Sequence, residues 1–212
     1  VGFWGTYVVG RASRPLTELP ALRPSAAKAS WHWHGKGGWQ VVQIEHGPDG
    51  WNSPDLPRAW DGLLQGLTRQ SGHPVLAAVI KHSEGAQLLG HSPRTGRWGG
   101  WIMAENITWR LLPEDGPRQH WDENGLRHTE STADYRRRER LALDHLYATA
   151  GPPGARSAPS AIAWATEAGL MPDPAAVAAT LDTAADFAEE ALFTFLTALG
   201  LPDAPDEAAL QP

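Results

Sequence analysis

Residues 73–103 read HPVLAAVIKHSEGAQLLGHSPRTGRWGGWIM, and the way this stretch divides decides the fold. His73 to Lys81 is a short apolar run rich in β-branched residues, the signature of a strand. Ser83-Glu84-Gly85 turns it into a second run, Ala86 to His91, and Pro93-Arg94-Thr95-Gly96 turns that into a third, Arg97 to Met103. Short turns of this kind connect antiparallel neighbours, so the three runs form a meander.

Working outward, Phe3 to Arg11 (FWGTYVVGR) and Trp39 to Glu45 (WQVVQIE) carry the same aromatic and β-branched signature. They bring the sheet to five strands. Residues 12–37 are rich in Pro, Ser, Ala and Gly, with a short helical turn around Leu16 to Leu22. Gly47-Pro48-Asp49-Gly50 ends the second strand. A helix follows over 54–70, with Ser53 as N-cap and Pro54 in the first helical position. Leu56, Trp60, Leu63, Leu64 and Leu67 fall on one face, which covers the sheet.

From residue 104 the pattern changes. Residues 104–132 are polar and aromatic without a clean period, and Ile107 to Leu112 offers one further strand. Asp134 to Thr149 is read as a helix, and Gly151-Pro152-Pro153-Gly154 as a breaker and linker. The last third is helical: Ala158 to Ala168, a short helix opened by Asp173-Pro174, and a final helix opened by Asp186 with Glu189 three residues on. Phe187, Ala191, Leu192, Phe195, Leu196 and Leu199 give that helix an apolar stripe. The expected fold is α+β: a mostly antiparallel five-strand sheet covered by helices in 1–150, and a helical C-terminal extension, 151–212, packed on it. The tail from about Asp203 is expected to be disordered.

Composition narrows the chemistry. The chain has 212 residues and no cysteine, which removes disulfides, thiolate metal sites and a cysteine nucleophile. A cytoplasmic location agrees with this. No apolar run is long enough to span a membrane, and Val1 to Gly10 reads as a strand rather than a signal peptide. The net charge of −6 is uneven, because residues 151–212 hold nine acids and the single base Arg156. Tryptophan is abundant, with 11 residues against 4 Phe and 3 Tyr.

The candidate sites follow from these features. In Trp31-His32-Trp33-His34-Gly35-Lys36-Gly37-Gly38-Trp39, His32 and His34 would face one side of an extended chain, with Glu45 or His46 as a third ligand. Two histidines without a third at motif spacing do not make a metal site, and none is assigned. The glycines lack phosphate-loop spacing and precede a strand. Trp98 and Trp101, three apart on a strand, face opposite sides, and Gly99-Gly100 between them points to a bulge or a close backbone approach. A ligand pocket would draw on Trp31, His32, Trp33, His34, Trp39, Trp98 and Trp101. A partner surface would draw on the acidic residues Asp182, Asp186, Glu189 and Glu190. No Gly-x-Ser-x-Gly elbow occurs, no motif calls for a cofactor, and the chain is read as leaning away from catalysis. Arg136, Arg137, Arg138 and Arg140 are interrupted by Glu139 and read as a solvated helix face, so nucleic acid is an unlikely partner.

WGTYVVGRASRPLTELPAL at the start, HPVLAAVIKHSEGAQLLGHSP in the centre and AIAWATEAGL…FAEEALFTFLTALGLP at the end resemble small uncharacterised α+β proteins of actinobacteria. In size and layout the chain is also similar to immunity proteins that neutralise toxins. The resemblance implies a cytosolic α+β protein with no known activity. The leading expectation is a non-enzymatic protein-binding module of immunity or regulatory type. The rival is a small ligand- or metal-binding enzyme with a pocket lined by His and Trp.

Overall fold

The structure, a computed structural model, describes residues 2–46, 56–111 and 117–205. Six strands form the main sheet: β1 (Trp4–Arg11), β2 (Ala29–His34), β3 (Trp39–Glu45), β4 (Val75–Lys81), β5 (Gly85–Ser92) and β6 (Gly96–Ile102). Their order is β2-β3-β1-β4-β5-β6, with every neighbouring pair antiparallel. The meander β4-β5-β6 is present as read from the turns. The strand count is six rather than five, because the Trp-His-Trp-His run pairs along β3 as an edge strand. That run sits among Pro, Ser and Gly and has no local strand signature strong enough to outweigh them; pairing with β3 decides it.

Both faces of the sheet are covered, which explains the unbroken apolar run of β4. Val75, Ala77 and Val79 pack with Val8, Val42, Ile44 and Leu89 under helix α1 (Leu56–Ser71), through Trp60, Leu64 and Leu67. Leu16, Leu19 and Leu22 complete that layer from the connection between β1 and β2. Gln40, only 5% exposed, pins this connection by accepting from Leu16 N–H at 2.9 Å and donating to the Arg14 carbonyl at 2.9 Å. The Ser53 cap and the 47–50 turn lie outside the described residues.

The alternate residues Leu76, Ala78 and Ile80 pack against helices α4 (Ala158–Glu167), α5 (Pro174–Asp182) and α6 (Ala188–Ala198). Trp164, Leu192, Phe195 and Leu196 share one core with Tyr7, Val9 and Leu88, so the C-terminal helices are a layer of the sandwich. Trp164 is 1% exposed, and its indole N–H donates to the Val75 carbonyl at 3.2 Å. The Asp173 side chain caps α5 by accepting from Ala175 N–H and Ala176 N–H.

Between the halves lie α2 (Ala104–Leu111), a hairpin of β7 (Gln119–Trp121) and β8 (Arg127–Thr129), and α3 (Thr132–Ala150). Residues 107–111 are therefore helical, not strand. Counted from Ala104, the apolar positions Ala104, Ile107 and Leu111 follow a helical period, and Ala104 and Ile107 are buried. Leu112 lies outside the described residues.

The Gly151-Pro152-Pro153-Gly154 segment is docked on the sheet edge, where Pro153 bridges to Trp101 of β6. Gly151 has φ 101°, and a Cβ there would stand 2.2 Å from Gly99 backbone atoms. A Cβ on Gly99 would likewise meet the Ala150 carbonyl at 2.2 Å, so the glycines of β6 mark a close backbone approach. No bulge is present there, since the β5–β6 register runs without a shift. Among the described residues no helix is long and apolar enough to cross a membrane.

Candidate partner-binding groove

The residues expected to line a His/Trp pocket do not meet in one hollow. On β2, Trp31 and Trp33 turn toward the C-terminal helices and are half-buried, while His32 and His34 are exposed on the opposite face. Trp31 reaches Phe193 at 6.4 Å between ring centroids. Trp39 (4% exposed) packs in the core at 6.4 Å from Trp164. Trp98 (8%) faces the C-terminal helices and Trp101 (0%) faces α2 and α3, on opposite sides of β6. Both are buried, so neither belongs to an open aromatic platform.

Partial burial, and then the neighbouring His34, lower the pKa of His32 below its ordinary value. His46 does not join that pair. It hydrogen-bonds Thr6 Oγ1 at 2.9 Å and sits edge-on to Trp60, and burial followed by the charge of Lys28 lowers its pKa. Among the described residues no group of three or more His, Asp or Glu side chains converges as a metal would require.

The four acidic residues divide sharply. Asp186 and Glu190 are exposed at the start of α6. Asp182 is exposed at the end of α5 and also accepts from Ala155 N–H at 2.8 Å, holding the 3-10 turn Gly154–Ser157 against the helix. Glu189 is a correction. It is 8% exposed and accepts from Ser83 Oγ at 2.7 Å, so a partner cannot reach it as a surface charge.

Ser83 joins three elements at this point. Its hydroxyl also accepts from Phe3 N–H at 2.8 Å, its N–H donates to the Phe3 carbonyl, and its carbonyl accepts from Ala188 N–H. The first turn of α6 is thereby held to the β4–β5 turn and to the start of β1. Burial, and secondarily the charge of Glu189, hold the Tyr7 phenol well above its ordinary pKa.

The exposed acids border a groove made of two adjoining hollows. The larger, about 410 Å³, lies between α2, the end of α3, the 3-10 turn and the end of α5. Glu105, Asn106, Tyr147, Arg156 and Asp182 line it. The second, about 290 Å³, carries Thr180, Asp186, Glu190 and Thr194, and shares Thr183 and Ala184 with the first. Burial, then the charge of Glu105, raises the Tyr147 pKa against the opposing effect of Arg156. Phe187, 51% exposed, stands beside Asp186.

Glu105, Asn106, Tyr147 and Thr183 carry no signal in the sequence, because they come from three elements that only packing brings together. One signal was present: Arg156, the single base of the last third, is also the only basic residue among the described residues that line the groove. No family model matches the chain, and no curated protein or solved structure matches it.

Proposed function

We propose that the protein is a non-enzymatic binding module of immunity or regulatory type whose groove receives a basic segment of a protein partner in the cytoplasm. One observation carries it: exposed Asp182, Asp186, Glu190 and Glu105 line a continuous groove in which Arg156 is the only base among the described residues. Fields from like-charged groups lining a concavity reinforce one another, which draws in a cationic segment and selects against an anionic one. The half-exposed Phe187 supplies an apolar contact beside the charges.

The test is capture of the tagged chain's partner from native lysate at low and high salt, repeated with the Asp186→Lys, Glu190→Lys double variant. The expected result is a basic partner whose affinity falls at least about tenfold in the variant and weakens with salt. A partner retained equally by the variant at low salt would remove the groove from the mechanism.

A further inference from the structure

Charge is not spread evenly along the groove. Its first hollow, about 410 Å³, holds Arg156 together with Asn106 and Tyr147, and Glu105 and Asp182 also line it. The second, about 290 Å³, holds Asp186 and Glu190 and no base among the described residues. Thr183 and Ala184 belong to both, so a bound chain can run from one into the other. Such a chain meets a cation in the first hollow and only anions in the second.

Arg156 rises, exposed, from the 3-10 turn Gly154–Ser157. The backbone of that turn is fixed: Ala155 N–H donates to Asp182 Oδ1 at 2.8 Å, and Ser157 Oγ donates to the Gly154 carbonyl at 2.9 Å. Among the described residues Arg156 forms no ion pair, although Glu105 and Asp182 line the same hollow. Its guanidinium is a planar fork of N–H donors that matches the two oxygens of a carboxylate. Asn106 and Tyr147 add neutral donors to the hollow. Burial, then the charge of Glu105, raises the pKa of the half-buried Tyr147, so its phenol keeps the proton it donates.

We infer that the groove receives the carboxyl-terminal end of its basic partner, with the terminal carboxylate on Arg156 and the preceding basic side chains against Asp186 and Glu190. The inference rests on the groove being the partner site proposed above. A terminal carboxylate is the anionic group that a basic segment carries whatever its side chains, and its capture is a recurring way of reading a chain end. It bears a single charge, which Glu105 and Asp182 oppose less than they would a phosphate dianion.

The test uses the full chain labelled with ¹⁵N and a pair of synthetic peptides at low salt. Both are acetyl-Ala-Ala-Lys-Lys-Ala-Lys, one ending in a free carboxylate and the other in an amide. The amide form carries the larger positive charge, so the acids of the groove alone favour it. The expected result is the reverse: the free acid binds at least about fivefold tighter, followed through the amide signals of residues 155 and 184. Arg156→Gln, a change at an exposed side chain, should abolish that preference while both peptides still bind. An amide bound as tightly as the free acid, or more tightly, would overturn the anchor and leave an internal basic segment as the occupant of the groove. A free-acid preference that survives in Arg156→Gln would overturn the role of Arg156. Binding of neither peptide at millimolar concentration would overturn the groove as a partner site, and this inference with it.

Discussion

The sheet with α4–α6 and the hairpin with α3 are held by different physics. In the first region aromatic and aliphatic side chains fill a continuous core, and buried polar groups such as Ser83 and Glu189 are tied across long sequence separations. In the second, all six residues of β7 and β8 are exposed, Trp121 among them, as are Leu126 and Leu141. Local pairs organise it. Glu130 accepts from Arg118 N–H at 3.0 Å and from Arg138 Nη2 at 2.8 Å, and Asp122 accepts from Asn124 N–H and Leu126 N–H to close the hairpin turn. Ser131 caps α3 by accepting from Asp134 N–H at 3.1 Å. Burial stabilises cooperatively, whereas surface pairs act over one or two turns and are screened by solvent. The core should therefore unfold as a unit and the hairpin should open by itself.

Trp164→Ala tests the contrast most severely. It removes a side chain buried on all sides together with its bond to Val75, and should cost about 3–5 kcal/mol by denaturant unfolding. A loss below about 1 kcal/mol would mean that the C-terminal helices are not integral to the core. Ser83→Ala comes next: it leaves the Phe3 N–H without its acceptor and removes the hydroxyl donor to Glu189. The expected loss is about 1–3 kcal/mol. It should appear in the same single transition, since Ser83 joins the sheet to α6.

Glu167→Gln should cost less, about 1 kcal/mol. Glu167, at the end of α4, accepts from Ser92 Oγ, Arg94 N–H and Thr95 N–H, and so holds the β5–β6 turn. Burial alone would raise its pKa, but these bonds outweigh it and the net direction is downward. Faster amide exchange at residues 92–96, with little change elsewhere, is the signature to look for.

The smallest expected effect is local and depends on acid. The Arg138 side chain, followed by the Arg118 N–H, holds Glu130 down to about 2. A carboxyl depressed in the fold contributes stability above its unfolded value of about 4.3 and loses it as pH falls toward about 2. Amide exchange in 118–130 should quicken across that window before the core responds, and Glu130→Gln should remove the part carried by Glu130 while leaving that of Asp122, whose pKa is lowered first by His128 and then by the Leu126 N–H. Simultaneous loss of protection in hairpin and core would erase the distinction between the two regions.

Much of the molecule was legible locally. Five strands could be read from β-branched runs bounded by turn residues, because each signal lies within a few residues of itself. Long-range pairing escaped that reading, and β2 is the clearest case: Trp31 to His34 becomes a strand only against β3. The candidate groove was half legible. Charge asymmetry pointed to the last third, but Glu105 and Tyr147 arrive from elements far along the chain.

Periodicity and capping among neighbouring residues set the central strands, the Asp173-Pro174 start of α5 and the buried stripe Ala191, Leu192, Phe195 and Leu196 of α6, whereas the expected cap at Asp186 gives way to Phe187, an exposed N-cap with no side-chain bond. That Glu189 is buried while Glu190, one residue on, is exposed follows from packing and not from local sequence. A helix turns about 100° per residue, so adjacent carboxylates point in different directions. Which of them meets the sheet depends on Ser83, more than a hundred residues away. The same holds for Arg156 and Tyr147, which share a hollow only because packing sets the end of α3 beside the 3-10 turn.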